Sequence, residues 1–180
     1  MGDNSDKPSY LGLLNAIAVG EARGQQLLEA WAQKTGDAEL KHLLTMVALR
    51  AQEHAASFAK RLCELGYVVR PSPAGDLDAR LSMMKSETSD KVKFDCLFDF
   101  GKPMLEPDAL STIFQDKSID VATGALLGRF IAEERDSDRQ LRACYEQMRE
   151  TPADDTLNEI CARLERLTRS IEELKAIRGR

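Results

Sequence analysis

Histidine is scarce in this chain of 180 residues, which contains only His42 and His54. They lie 12 positions apart in one helical stretch, and this separates them by roughly 18 Å along a helix. Two histidines therefore cannot meet at one site within a single chain. The phosphate-binding motifs GxGxxG and GxxxxGK(S/T) and the nucleophile motif GxSxG are also absent. Their absence excludes the usual signatures of nucleotide-binding proteins and serine hydrolases.

Long apolar runs and paired cysteines are missing as well. No stretch of about 18 apolar residues occurs, so no membrane-spanning segment is expected. The first residues are polar and acidic and do not resemble a secretory signal. The 4 cysteines form no CxxC pair, so we expect reduced, buried thiols rather than disulfides. These features together predict a cytoplasmic protein.

Neither sign of charge forms a cluster. The chain has 30 acidic and 25 basic residues, a formal net charge of −5 and a pI near 5.2. The two signs alternate along the predicted helices, whereas binding to phosphates needs clustered lysines and arginines. No nucleic-acid partner is therefore expected.

Apolar residues recur at three- and four-residue steps in four long stretches, which is the period of amphipathic helices. We predict helix A over residues 10–34, helix B over 37–65, helix C over 120–150 and helix D over 153–177. Gly36 is expected to end helix A in the left-handed conformation, and Asp37 to cap helix B. The short link makes helices A and B an antiparallel hairpin. The connector, residues 67–118, is apolar enough to pack on the bundle and is predicted to contain short helices over 76–84 and 89–98.

Four polar residues stand out because charged side chains are rare on the inward face of a helix unless they are paired or coordinated. Glu21 shares a face with the apolar residues of helix A, and Glu134 with those of helix C. His54 lies on the apolar face of helix B, with Glu53 beside it on the flank. Carboxylates and imidazole together suit iron or manganese. Glu21, Glu53, His54 and Glu134 are therefore the predicted metal ligands, and no catalytic residue or organic cofactor is assigned.

The order of hairpin, long crossover and hairpin is that of a ferritin-like four-helix bundle. The chain resembles the ferritin-like superfamily, including its rubrerythrin-like and bacterioferritin-like members. The resemblance implies a single all-α domain over residues 1–180, with Glu21 and Glu134 as the metal-binding carboxylates of helices A and C. The family takes a Glu-x-x-His from each of the other two helices. Glu53 matches the first position of that motif, but Ala56 stands where its histidine is expected.

Helix D departs further from the family pattern because its inward face is apolar, with Leu164, Leu167 and Ile171. The di-iron motif is therefore incomplete, and two functions stay open. One is iron or manganese binding, or oxidant handling, through the remaining carboxylate site. The other is a metal-free scaffold or interaction protein, in which the inward carboxylates pair with His54 and with Arg50 or Arg135. The heptad-like stripe of helix D predicts a homodimer, and a different protein partner is left open.

Overall fold

The chain folds into helices in the part that the computed structural model describes, namely residue 8 and residues 10–73, 75–98 and 117–150. Within these residues five helices follow one another: α1 (Leu11–Ala32), α2 (Ala38–Glu64), α3 (Leu77–Lys85), α4 (Asp90–Leu97) and α5 (Val121–Glu150). The first, second and fifth confirm predicted helices A, B and C, and the two short helices confirm those expected in the connector. Helix D, predicted over 153–177, lies outside the described residues.

The turn after α1 closes differently from the prediction. The amide N–H groups of Lys34 and Thr35 both donate to the carbonyl of Trp31, at 2.8 and 3.0 Å. The helix thus ends through tight right-handed turns, and Gly36 does not adopt a positive φ. The prediction of a left-handed Gly36 is wrong because these bonds already satisfy the last carbonyls of the helix.

The start and end of α2 follow the expected signals. The Asp37 side chain accepts the N–H groups of Glu39 and Leu40, at 2.9 and 3.0 Å, and so caps the helix. At the other end Gly66 has a φ of 82°, a left-handed conformation in which glycine carries no steric penalty. These two ends fix the length of α2 and return the chain alongside α1.

One apolar core joins α1, α2 and α5. Early residues of α1 pack against late residues of α2, which shows that the two helices run antiparallel. The rings of Phe58 and Phe130 meet edge to face with their centroids 5.3 Å apart. Burial of this surface determines which faces of the three helices meet. The buried members of the core are Tyr10, Leu11, Leu14, Ile17, Ala18, Phe58, Leu62, Leu127, Phe130 and Ile131.

Helix α4 packs on the α1–α2 turn through one aromatic pair and one carboxylate. The Trp31 and Phe94 rings are fully buried and meet at nearly right angles, with centroids 4.6 Å apart. Asp90 accepts hydrogen bonds from the Trp31 indole at 2.6 Å and from the Thr35 hydroxyl at 2.7 Å. The connector therefore lies along the hairpin, as its apolar composition predicts.

The chain divides into two compact units, Met1–Tyr145 and Glu146–Arg180, and the apolar core of α1, α2 and α5 belongs to the first. Helix α5 continues to Glu150 beyond that point. The single domain over residues 1–180 stays a prediction.

The state of the cysteines and the apolar character of the helices can be compared with the predictions. Cys63, Cys96 and Cys144 are free thiols, as predicted. Cys63 and Cys96 are exposed, so the prediction of buried thiols is wrong for these two, because they lie on the outer faces of their helices. None of the helices in the described ranges has the length and apolar character needed to cross a membrane.

Candidate metal centre

Helices α1, α2 and α5 each bring one polar side chain to the same point of the bundle. Glu21, His54 and Glu134 offer one ligand atom each, and these atoms all lie within 4.8 Å of one another. Each residue follows the apolar face of its helix, so the packing that joins the helices also brings the three side chains together. The structure thus gathers three of the four predicted ligands.

The centre is closed around the histidine and open towards one carboxylate. His54 is only 3% exposed, and the Phe130 ring packs edge to face against its imidazole at 5.0 Å. The Glu21 side chain is 17% exposed and that of Glu134 is 40% exposed. Solvent, and an ion carried by it, can therefore reach the centre from the Glu134 side.

A fourth residue, Glu133, binds the opposite side of the imidazole. Its Oε2 atom lies 2.7 Å from Nε2 of His54, and its Oε1 atom accepts from Nε of Arg129 at 2.9 Å. The hydrogen bond from Arg129 lowers the pKa of Glu133, against the opposing effect of burial. Glu133 is therefore an ionised carboxylate that can only accept hydrogen bonds. We accordingly assign a ring proton to Nε2 of His54.

The other ring nitrogen of His54, Nδ1, is buried and has no hydrogen-bond partner among the described residues. It lies 3.4 Å from Oε2 of Glu21 and 3.6 Å from Oε1 of Glu134. Both separations exceed the usual length of an N–H···O hydrogen bond. A bare nitrogen lone pair between two carboxylates is unfavourable in a buried position, and either a proton on Nδ1 or a metal ion between these atoms would balance it.

The two distances from Nδ1 are compatible with a shared metal ion. Two ligand atoms that bind one ion at about 2.0–2.2 Å are separated by roughly 3.0–3.5 Å, close to the 3.4 and 3.6 Å observed. A metal-binding histidine usually donates its second ring N–H to a carboxylate, as His54 does to Glu133. Nδ1, which has no hydrogen-bond partner in the described part of the chain, and the two carboxylates therefore form a candidate metal site.

The electrostatics of the centre favour extra positive charge. Burial alone would lower the pKa of His54, but the carboxylates of Glu21 and Glu133 outweigh it and the pKa is raised. The pKa of Glu134 rises to about 7, first because its carboxyl is desolvated and then because Glu21 repels its charge. Desolvation dominates despite the 40% exposure of the side chain, since its Oε1 atom lies beside the fully buried Nδ1. The centre thus takes up protons when no other cation is present.

Glu53, the fourth predicted ligand, is not part of the cluster. Its side chain is 52% exposed, and its Oε1 atom forms an ion pair with Arg129 at 2.6 Å. Adjacent residues on a helix differ by about 100° in direction, so Glu53 faces outward where His54 faces inward. Glu133 was not singled out by sequence reasoning. Its spacing of four residues from Arg129 was the available signal, because such pairs fix each other on a helix.

The remaining charged residues near the centre are engaged elsewhere. Arg50, expected as a partner of Glu134, donates from Nη1 to Asp136 at 2.8 Å and to the hydroxyl of Ser137 at 3.1 Å. Its charge lowers the pKa of Glu134 only from a greater distance. His42 is exposed and lies about three turns of α2 away from His54, as predicted for a surface histidine. Neither Arg50 nor His42 places a positive charge beside Nδ1.

Comparison with family models, with curated proteins and with solved structures finds no match for this chain. The ferritin-like resemblance therefore rests on the order of the helices and on the inward carboxylates alone.

Proposed function

We propose that this protein binds one divalent transition metal ion, iron or manganese, through Glu21, His54 and Glu134. The observation that carries this proposal is the buried Nδ1 of His54, which has no hydrogen-bond partner among the residues that the structure describes and lies between two carboxylates. Carboxylate oxygens and imidazole nitrogen are the donors that these ions accept. Inward side chains from facing helices are also how metal sites in helical bundles are built.

The chain's own residues prepare His54 for this role. Glu133 accepts the Nε2 proton and so leaves Nδ1 free, while Arg129 holds Glu133 in place. The Phe130 ring packs against the imidazole and restricts its rotation. Residues that orient a metal-binding histidine in this way typically contribute about 10- to 100-fold to metal affinity.

We further propose that the protein belongs to the ferritin-like class and handles oxidants at this centre. Support comes from the hairpin, connector and third long helix, and from the open Glu134 side. Bound iron or manganese would supply redox chemistry. The test is peroxide consumption by the manganese- or iron-loaded protein, which should be lost in Glu134→Gln and kept in Glu53→Gln. Equal consumption by both variants would contradict the assignment to this centre. The homodimer and the cytoplasmic location stay predictions.

Metal binding itself is tested by calorimetry on the full chain after chelator treatment. We expect Mn²⁺, and Fe²⁺ under anaerobic conditions, to bind at one ion per chain. Glu21→Gln and Glu134→Gln should each weaken binding at least about tenfold, since each removes a charged ligand. Glu53→Gln is the matched control, because it makes the same chemical change outside the cluster and should bind as the wild type does. Binding that is absent, or equal in all four proteins, would overturn the proposal.

A metal-free interaction protein is the second candidate, and the raised pKa of His54 favours it. In this case a proton on Nδ1 supplies the missing positive charge. Chelators should then leave thermal stability unchanged, whereas a bound metal contributes RT ln(1 + [L]/Kd). Glu21→Leu should also be neutral or stabilising, because replacing a buried ionic group by packing often is. A fall in Tm on chelation, lost in Glu21→Leu, would exclude this candidate.

A further inference from the structure

A cavity of about 380 Å³ lies between α1 and the segment that holds α3 and α4. Its volume falls near the small end of the roughly 300–1,000 Å³ that is typical of ligand pockets. The side chains of the metal centre do not line it, so it is a separate site. Its apolar walls are formed by Leu27, Leu28, Leu77, Leu97 and Phe98.

Two glycines open the backbone of α1 to this cavity. Gly20, Arg23, Gly24 and Leu27 recur at three- and four-residue steps, so they form one stripe on the helix. Glycine weakens a helix interior, and a Cβ atom added at Gly20 or Gly24 would have no neighbour within 4 Å. Packing within the described residues therefore does not require these glycines. The space they leave is available to a ligand.

The rim of the cavity carries an excess of positive charge. Arg80 donates from Nε to Asp76 at 2.7 Å, which balances one arginine. Arg23 donates to the backbone carbonyls of Ser72 and Pro73 at 2.6 and 2.8 Å, and within the described residues it has no carboxylate partner. Two guanidinium groups thus face one carboxylate, in a chain whose net charge is −5. The rim is suited to a single added negative charge.

We infer that this cavity binds a small monoanion with an apolar body, namely a compact aliphatic or aromatic carboxylate. Its carboxylate is recognised by the N–H groups of Arg23 other than those on Nη2, which already donate to the carbonyls of Ser72 and Pro73, because charge-assisted hydrogen bonds to a carboxylate are strong. Its apolar body lies against the leucine walls and Phe98, where it leaves water. The glycine stripe allows this body to approach the backbone of α1. The site goes beyond the proposed metal function and uses none of its ligands.

The inference is tested by calorimetry on the full chain with octanoate as the probe. Octan-1-ol has the apolar body without the charge, and acetate has the charge without the body. All titrations contain chelator, so that the metal centre stays in one state and each proposal can fail without the other. We expect octanoate to bind at one molecule per chain, with octan-1-ol and acetate each at least about tenfold weaker.

Three variants locate the binding site. Gly24→Leu places a side chain in the cavity, where its Cβ meets open space, and it should abolish octanoate binding. Gly128→Leu makes the same change at an exposed, equally open position of α5 and should bind as the wild type does. Arg23→Gln should weaken octanoate about tenfold and leave octan-1-ol unchanged. Circular dichroism checks that each variant keeps its helicity.

Several results would overturn the inference. Octanoate that fails to bind, or that binds Gly24→Leu as well as it binds the wild type, would show that this cavity is not its site. Equal binding of octanoate and octan-1-ol would remove the role of the carboxylate and of Arg23.

Discussion

Two polar clusters link α1, α2 and α5, and they differ in how completely their groups are paired. In the first, Asp120 accepts four hydrogen bonds, from the Tyr10 hydroxyl, from Arg61, and from both the amide and the hydroxyl of Thr123. Each carboxylate oxygen has two partners, and the cluster is complete. In the second, the buried Nδ1 of His54 has none among the described residues.

This difference supports our proposal that the first cluster is a structural network and the second a binding site. The Asp120 cluster caps α5 and connects it to α2 and to the residue before α1, and both oxygens of its carboxylate are fully hydrogen-bonded. The His54 cluster gathers three glutamates around one imidazole, and Nδ1 of that ring has no hydrogen-bond partner in the described ranges. Buried polar groups are nearly always hydrogen-bonded, so this exception supports the proposal that an ion binds here.

The largest expected effect is the loss of metal binding in His54→Leu. Leucine is similar in volume to histidine but has no atom that can bind a metal ion. Mn²⁺ affinity should therefore fall at least about 100-fold. Helicity should persist, because the Asp120 cluster and the apolar core are unchanged. Calorimetry and circular dichroism provide the two measurements. Wild-type affinity in this variant would mean that the ion binds elsewhere.

Glu133→Gln should weaken Mn²⁺ binding by about 10- to 100-fold, since it removes the charge that holds the proton on Nε2 of His54. Glu53→Gln is the control, because Arg129 contacts both glutamates and only Glu133 reaches the imidazole. Calorimetry on both variants separates the two roles. Equal affinities would show that Glu133 has no orienting effect.

Asp120→Ala should lower the free energy of unfolding by about 1–2 kcal/mol, the usual cost of losing a helix N-cap, and leave metal affinity unchanged. The backbone and hydroxyl of Thr123 hold the pKa of Asp120 below its usual range. Its contribution is therefore present above about pH 4 and is lost as the pH falls further. Urea unfolding at pH 7 and pH 3 should show the difference between wild type and variant shrinking. A difference as large at pH 3 as at pH 7 would contradict the role of the charge.

The contribution of the candidate metal centre to the free energy of unfolding should change with pH in the direction opposite to that of Asp120. We expect this to be the smallest of the effects. In metal-free protein the pKa of Glu134 is about 7, above the value of about 4.3 in an unfolded chain. Folding therefore favours the protonated form, and stability falls as the pH rises from about 5 to 8. The raised pKa of His54 acts in the same sense, since its contribution is lost as the pH rises through that pKa.

Glu134→Gln removes the carboxyl's part of this dependence. We expect it to stabilise metal-free protein by about 1 kcal/mol at pH 8, a figure reduced for the partial exposure of the side chain, and to change little at pH 5. Urea unfolding in the presence of chelator measures both values. A stabilisation that is equal at the two pH values would show that charge repulsion is not its cause.

The sequence predicts which polar side chains come together where helical periodicity determines their direction. Glu21, His54 and Glu134 each follow an apolar stripe, and once the stripes pack together the three side chains have to converge. Asp37 is similarly predictable, because capping depends on neighbours two and three residues away.

The other contacts of the two clusters depend on how the helices are rotated against each other. Periodicity within one helix does not determine this rotation. Glu133 and Glu134 are adjacent, yet they reach opposite nitrogens of one ring, and this requires the ring position itself. The bond between Tyr10 and Asp120 spans 110 residues and has no local signal. Glu53 was predicted from family spacing, although its position beside His54 directs it outward.

The most direct test of the central claim is nitrogen NMR of the His54 ring in ¹⁵N-histidine-labelled protein during titration with Zn²⁺. This ion is diamagnetic and accepts the same donors. We expect the Nδ1 signal of His54 to shift with one equivalent of metal, while Nε2 keeps its proton and donates it to Glu133. His42 should be unaffected. A ring that stays protonated at both nitrogens, or that binds through Nε2, would contradict this claim.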